Sequence, residues 1–230
     1  MPDITINGAD GAFSGYLATP ASGNGGGILV IQEIFGVNKD MRDHCDHLAA
    51  QGYFALCPDI FWRQEPDIQL TDQSEEEWAR AFELYQGFDV PKGVEDLKAS
   101  LAHLRGVDGC NGKAGTVGFC LGGLLVYLMA ADSDAECNVS YYGVGIDEQL
   151  DKASAITTPT ILHIAEEDGF VSKEAQAKIN DGLKGHAHVA VHNYPGVDHA
   201  FARNNGVNYD AAAATLADER TLACFKENLS

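Results

Sequence analysis

Short unbroken apolar runs alternate along this chain with longer stretches in which apolar residues recur every three or four positions. The first pattern predicts strands buried on both faces of a parallel sheet, and the second predicts amphipathic helices. Gly26-Gly27-Ile28-Leu29-Val30-Ile31-Gln32 is such a strand, followed by a turn at Phe35-Gly36-Val37. Asn38 is placed to cap a helix running to about Gln51, where Gly52 stops it; Tyr53-Phe54-Ala55-Leu56-Cys57 reads as the next strand, closed by Pro58-Asp59. Over residues 74–86 an acidic helix carries Trp78, Phe82 and Tyr85 at helical spacing, which predicts one buried stripe. Pro91 opens a further helix to about Arg105. Strands are expected at 113–118, 138–142, 158–164 and 187–194, with helices near 121–131, 172–183 and 209–228. Residues 8–20 read as an antiparallel edge hairpin.

Strands alternating with helices imply right-handed crossovers and a mainly parallel central sheet flanked by helices on both faces, an α/β fold. The 230 residues are read as one domain, 1–230. Charge changes the picture of partners. Lys and Arg total 15 against 34 Asp and Glu, a net charge of -19. Too few cations are available for a basic face, so nucleic acid is excluded as a partner, and an anionic membrane surface would repel the chain. No apolar run approaches the roughly 20 residues that cross a bilayer, and no basic segment leads into an apolar one near Met1. The six cysteines, Cys45, Cys57, Cys110, Cys120, Cys137 and Cys224, are scattered and never form C-x-x-C. That argues against a disulfide framework or zinc site and for a cytoplasmic protein with buried free thiols.

Ligands in such sheets bind at the carboxyl ends of the strands. The strand at 113–118 runs into Gly118-Phe119-Cys120-Leu121-Gly122-Gly123, which opens a helix. This is the G-x-nucleophile-x-G elbow with a thiol as nucleophile, at a helix N-terminus that favours negative charge. A thiol nucleophile needs a base, and the base an orienting acid. Asp168 lies on the loop after one later strand and His199 on the loop after the next, giving the order nucleophile, acid, histidine of α/β-hydrolases. Cys120 as an inert core residue, Asp168 as a turn cap and His199 as a surface loop residue are the competing readings. Two rival constellations exist. His44-Cys45-Asp46-His47 has metal-ligand residue types, but its helix needs Met41, Cys45 and Leu48 on the apolar face. His186, His188 and His192 alternate along the last strand as edge residues. Gly118–Gly123 lacks the spacing of a dinucleotide-binding loop.

The stretches Gln32-Glu33-Ile34-Phe35-Gly36-Val37-Asn38, Cys57-Pro58-Asp59, Gly118-Phe119-Cys120-Leu121-Gly122-Gly123, Tyr141-Tyr142-Gly143-Val144-Gly145 and His199-Ala200-Phe201-Ala202-Arg203 resemble the dienelactone hydrolases, cysteine-nucleophile members of the α/β-hydrolase fold. The resemblance runs along nearly the whole chain. It implies an α/β-hydrolase domain with Cys120 as nucleophile, His199 as base, Asp168 as its partner and Glu33 as an additional active-site carboxylate beside the thiol, which on its chemistry is expected to accept the thiol proton when substrate binds. The backbone N–H groups of Leu121 and Ile34 are implied as the oxyanion hole. Arg203 matches an arginine that clamps the substrate carboxylate, while Trp78 stands where the family has a second arginine. Trp78, Tyr85 and Tyr141 are the remaining candidates for substrate contact.

The implied reaction is hydrolysis of a carboxylic ester or lactone through a thioester, with a dienelactone giving maleylacetate in aromatic catabolism as the leading case. The resemblance implies no metal and no organic cofactor, and a small-molecule substrate. The protein is expected to be a monomer or a small homo-oligomer. Three readings compete: a general carboxylesterase of a less anionic substrate, a non-catalytic relative that binds a small molecule, and a thiol-redox protein using Cys120.

Overall fold

The computed structural model describes residues 3–230, Asp3 by its backbone alone. The chain has the α/β-hydrolase fold, and it divides into two compact units, one of residues up to 115 with Leu229 and Ser230, the other of residues 116–228. In the first unit, β1 (Asp3–Asn7), β2 (Ala12–Ala18), β3 (Gly25–Ile31) and β4 (Phe54–Pro58) lie in the order β1-β2-β4-β3. The β1/β2 and β2/β4 pairs are antiparallel, and β3/β4 is parallel. β4 is buried along its whole length and β3 beyond its first residue, as unbroken apolar runs require.

Three helices belong to this unit. α1 (Lys39–Ala50) starts at Asn38, whose side chain accepts from Met41 N–H, and it buries Met41, Cys45 and Leu48. α2 (Glu75–Gln86) is capped by Ser74, which accepts from Glu77 N–H. α3 (Val90–Arg105) is capped by Asp89, with Pro91 in its first turn rather than opening it. Two expectations need correcting. The hairpin begins at Asp3, because β1 pairs with β2 and residues 8–11 only turn between them; Ile4 and Ile6 alone carry its alternation, too short a signal to register. The buried face of α2 is Ala81 and Leu84, whereas Trp78 and Phe82 are half-buried and Tyr85 is exposed. Trp78 instead stacks on Phe82, packs edge-on against Phe35, and donates its indole N–H to Asp72 O at 3.1 Å.

The second unit takes the end of β5 (Cys110–Phe119), which starts three residues before the expected strand, and adds β6 (Asn138–Tyr141), β7 (Thr160–Ala165) and β8 (Val189–Tyr194). All are parallel and follow chain order. α4 (Leu121–Asp132) is apolar and buried nearly all round. α5 (Lys173–Leu183) and α6 (Ala211–Leu229) complete the unit, α6 burying Ala213, Ala217, Thr221, Cys224 and Phe225 at helical spacing. Successive β7 side chains point to opposite faces. Leu162 and Ile164 enter an apolar cluster with Tyr127, Ile179 and Leu183, so Leu162→Ala there should cost about 2–5 kcal/mol. His163 points the other way, to Thr221 of α6.

Candidate active site

Cys120 is a half-buried residue at the junction of β5 and α4, with φ +55° and ψ -114°. A positive φ is costly for any residue with a Cβ and persists only where neighbours enforce it. They do so by hydrogen bonds: Cys120 N–H donates to Tyr141 O at 3.1 Å, and Cys120 O accepts from the N–H groups of Gly123 and Leu124 at 3.0 and 3.2 Å. Gly123 permits the close crossing, since a Cβ there would lie 2.6 Å from Tyr141 O and 2.8 Å from Gly143 Cα. The amide of Leu121, the first residue of α4, is among the N–H groups that no carbonyl of the same helix can reach.

Asp168 follows β7 and His199 follows β8, and the two loops are tied together. Asp168 Oδ1 accepts from Phe170 and Val171 N–H at 2.8 and 3.1 Å, leaving Oδ2 for His199 Nδ1 at 2.9 Å. Asp198 clamps both loops, its Oδ1 accepting from Gly169 N–H at 2.9 Å and His199 N–H at 2.6 Å. Glu167 N–H reaches Val197 O, and Asn208 Nδ2 reaches His199 O. Asp198 carries no role in the sequence reading, since a carboxylate beside a histidine resembles any loop acid until the second loop is seen against it.

His199 is 3% exposed, between the rings of Tyr142 and Phe170 at 5.0 and 4.8 Å, both edge-on. Its Nε2 has no hydrogen-bond partner among the described residues, and the charge of Cys120 bears on the imidazole. Burial is the largest single influence and lowers the imidazole pKa. The charge of Cys120 and the hydrogen bond that Nδ1–H donates to Asp168 together outweigh burial and push it up to about 10.

The remaining candidates are distributed as follows. Arg203 is buried in the turn after His199, its N–H donating to Ala200 O, and Ala200 itself has φ +63°. Tyr141 is buried with its hydroxyl on Thr221 Oγ1 at 2.7 Å, so its polar end belongs to a network under β6 and β7. Its neighbour Tyr142, at φ +38°, brings a ring to His199. Two adjacent tyrosines look alike in sequence, because the choice between them depends on the backbone turning left-handed at the second. In the first unit, Glu33 and Ile34 are buried just past β3, where Gln32 Nε2 donates to Glu33 O at 3.2 Å and Gln32 Oε1 accepts from Ile60 N–H at 3.3 Å. Trp78 and Tyr85 lie on α2. Among the described residues no group of three or more His, Cys, Asp and Glu is arranged to hold a metal, and His44 faces Asp40 at 3.6 Å.

Comparison with known proteins gives this geometry a context. The model of the Dienelactone hydrolase family matches residues 13–229. A protein of Azospirillum brasilense whose name includes carboxymethylenebutenolidase is 51% identical over 233 residues, covering 100% of both chains. The carboxymethylenebutenolidase of Pseudomonas sp. strain P51 is 38% identical over 216 residues, 94% of this chain and 90% of that one. A crystal structure from Klebsiella pneumoniae superposes with a TM-score of 0.88 at 25% identity, covering 98% of each chain. With a family model spanning both units and full-length relatives this similar, the chain belongs to the dienelactone hydrolase family and is a hydrolase.

Proposed function

We propose that the protein hydrolyses a carboxylic ester or lactone through Cys120, Asp168 and His199, with a dienelactone as substrate and maleylacetate as product. The observation that carries this reading is the buried Asp168–His199 pair with Cys120 acting on the imidazole from a left-handed elbow. Asp168, held by two backbone N–H groups, fixes His199 with Nδ1–H toward the carboxylate and Nε2 toward the thiol. When Cys120 is ionised, His199 holds the proton, which is the direction of its raised pKa.

Sulfur then attacks the carbonyl carbon, and the oxyanion forms against the amides of Leu121 and Ile34. Collapse breaks the ring C–O bond, and the leaving oxygen, still tethered in a lactone, takes the proton from His199. The resulting thioester removes the charge on Cys120, the leading influence that had raised the imidazole. His199 becomes a base able to take a proton from water, whose oxygen attacks the thioester and releases the acid and Cys120. Arg203 is the proposed clamp for the substrate carboxylate. Glu33 is the proposed competing acceptor of the thiol proton, and Trp78 and Tyr85 are proposed apolar contacts. One family model covering residues 13–229 supports reading both units as one domain.

The test is steady-state turnover of cis- and trans-dienelactone beside a neutral aryl acetate, for the unaltered enzyme and Cys120→Ala. Strong preference for dienelactone and an inactive variant are expected, with a thioester adduct of substrate mass on Cys120 in quenched samples. Turnover of the neutral ester alone removes the dienelactone assignment and favours the carboxylesterase reading, for which Trp78 at the position of the family's second arginine is the motivating residue. Glu33→Gln separates the two proton acceptors: sharply lowered turnover assigns the thiol proton to Glu33, and unchanged turnover leaves it with His199.

A further inference from the structure

The two aromatic rings against His199 differ sharply in exposure. Tyr142 is 2% exposed and belongs to the interior, its ring centroid 5.5 Å from Phe201 and 6.1 Å from Phe119. Phe170 is 49% exposed, yet its ring lies 4.8 Å from the imidazole at an angle of 68°. Folding does not call for that exposed ring. The next residue, Val171, takes the buried place and joins the apolar cluster with Leu162, Ile164 and Ile179. Single exposed apolar side chains are ordinary on a protein surface. Phe170 is set apart by what it touches and by how firmly its backbone is held.

That backbone is pinned on both sides of the ring. Phe170 N–H donates to Asp168 Oδ1 at 2.8 Å, and Gly169 N–H donates to Asp198 Oδ1 at 2.9 Å. Gln176 Nε2 donates to Val171 O at 2.8 Å and to Glu166 O at 3.2 Å, closing the loop from the α5 side. An apolar surface presented from a fixed backbone binds a partner with little ordering cost. Its place beside His199 selects which part of a substrate meets it. A proton passes from Nε2 to the leaving oxygen only when the two lie within hydrogen-bond reach, roughly 2.6–3.2 Å. The substituent on that oxygen is therefore the part of the substrate nearest the imidazole, while the acyl carbon is held by sulfur.

We propose that Phe170 is a specificity-determining residue, the apolar wall of a leaving-group subsite that favours esters and lactones whose departing oxygen carries a flat aromatic or unsaturated group. This rests on the reading of Cys120, Asp168 and His199 as the catalytic groups. Edge-to-face contact with such a group adds to the apolar area it covers. The effect is confined to one half of the reaction. With an acyclic ester the alcohol has departed once the thioester forms, so Phe170 acts on acylation and leaves hydrolysis of the thioester alone.

The experiment measures phenyl acetate, ethyl acetate and phenyl butyrate with the unaltered enzyme, Phe170→Ala and Phe170→Leu. In Phe170→Ala the preference for phenyl over ethyl acetate, as a ratio of kcat/KM, should fall about tenfold. The ratio of phenyl butyrate to phenyl acetate should stay where it was, and Phe170→Leu should recover part of the lost preference. Phenol release in the first turnover should slow in Phe170→Ala, while breakdown of the acetyl-enzyme stays within roughly twofold. Because the ring is half exposed, the melting temperature of that variant should move by no more than about 4 °C. An equal loss on phenyl and ethyl acetate overturns the proposal, since Phe170 then only positions His199. An unchanged ratio, or a change that follows the acyl chain, overturns it as well. Failure of the underlying reading has a separate sign, full activity in Cys120→Ala.

Discussion

Two histidines of the second unit are almost equally buried and titrate in opposite directions. His163, 1% exposed on β7, is held by neutral groups: the Tyr194 hydroxyl donates to its Nδ1 at 2.8 Å, and its Nε2 lies 3.3 Å from Thr221 Oγ1. Burial, then the charges of His192 and Arg220, hold it well below its usual pKa, and Arg220 reaches it through the Tyr194 hydroxyl that accepts its Nη1 at 3.0 Å. His199, past the end of the neighbouring strand β8, has the charge of Cys120 and a carboxylate on Nδ1 acting on it, and it rises to about 10 under a burial penalty of the same kind. The difference teaches that burial alone does not make a histidine neutral. The charge of its nearest partners decides whether it is structural or fit to move a proton.

The largest effect expected from breaking this contrast is at its chemical end. Cys120→Ala should lower turnover by about 10⁵–10⁶-fold, read from steady-state kinetics with an aryl acetate; a loss of less than tenfold would break the assignment of nucleophile. Asp168→Asn should cost about 10³–10⁴-fold by releasing His199 from its tautomer. In the same variant the His199 ring resonances should titrate below the value in the unaltered protein, and an unmoved titration would show that Asp168 does not set it.

His163→Ala is the complementary cut. It should leave turnover within a few-fold while costing about 2–4 kcal/mol in urea unfolding, because Tyr194 and Thr221 lose a buried partner beside a cavity. Loss of turnover as large as at Asp168 would erase the distinction between the two histidines.

Smaller still are the pH effects, which should fall on opposite limbs. His199 is raised when folded, so its contribution is complete below the unfolded value near 6.5 and is lost as pH climbs through about 10. His163 is depressed when folded, so it contributes nothing above 6.5 and destabilises the fold as pH falls below that value, where the unfolded chain takes up the proton first. Urea midpoints measured across pH should show the alkaline loss diminished in Asp168→Asn and the acid loss diminished in His163→Ala. Arg220→Met should make the smallest change, about 1 kcal/mol or less in stability, with the titration of His163 moving upward as a nearby cation is removed.

The sequence by itself determined the alternation of strands and helices, the elbow around Cys120 and the chain order of Cys120, Asp168 and His199. These are local or ordered signals: unbroken apolar runs, capping residues such as Asn38 and Ser74, and glycines where backbone crosses backbone at Gly123. The short strand β1 is faint in sequence because two isoleucines carry little periodicity, and the buried face of α2 is masked there because large aromatic residues flank Ala81 and Leu84, the pair that lies flush against the fold. Only the tertiary structure decided which acid serves which loop, that Asp198 ties Asp168's loop to His199, and that Tyr142 rather than Tyr141 turns to the imidazole. Each depends on groups brought together from distant positions, where a hydrogen bond, a left-handed backbone angle or a neighbouring charge changes the chemistry of a residue whose identity is unchanged.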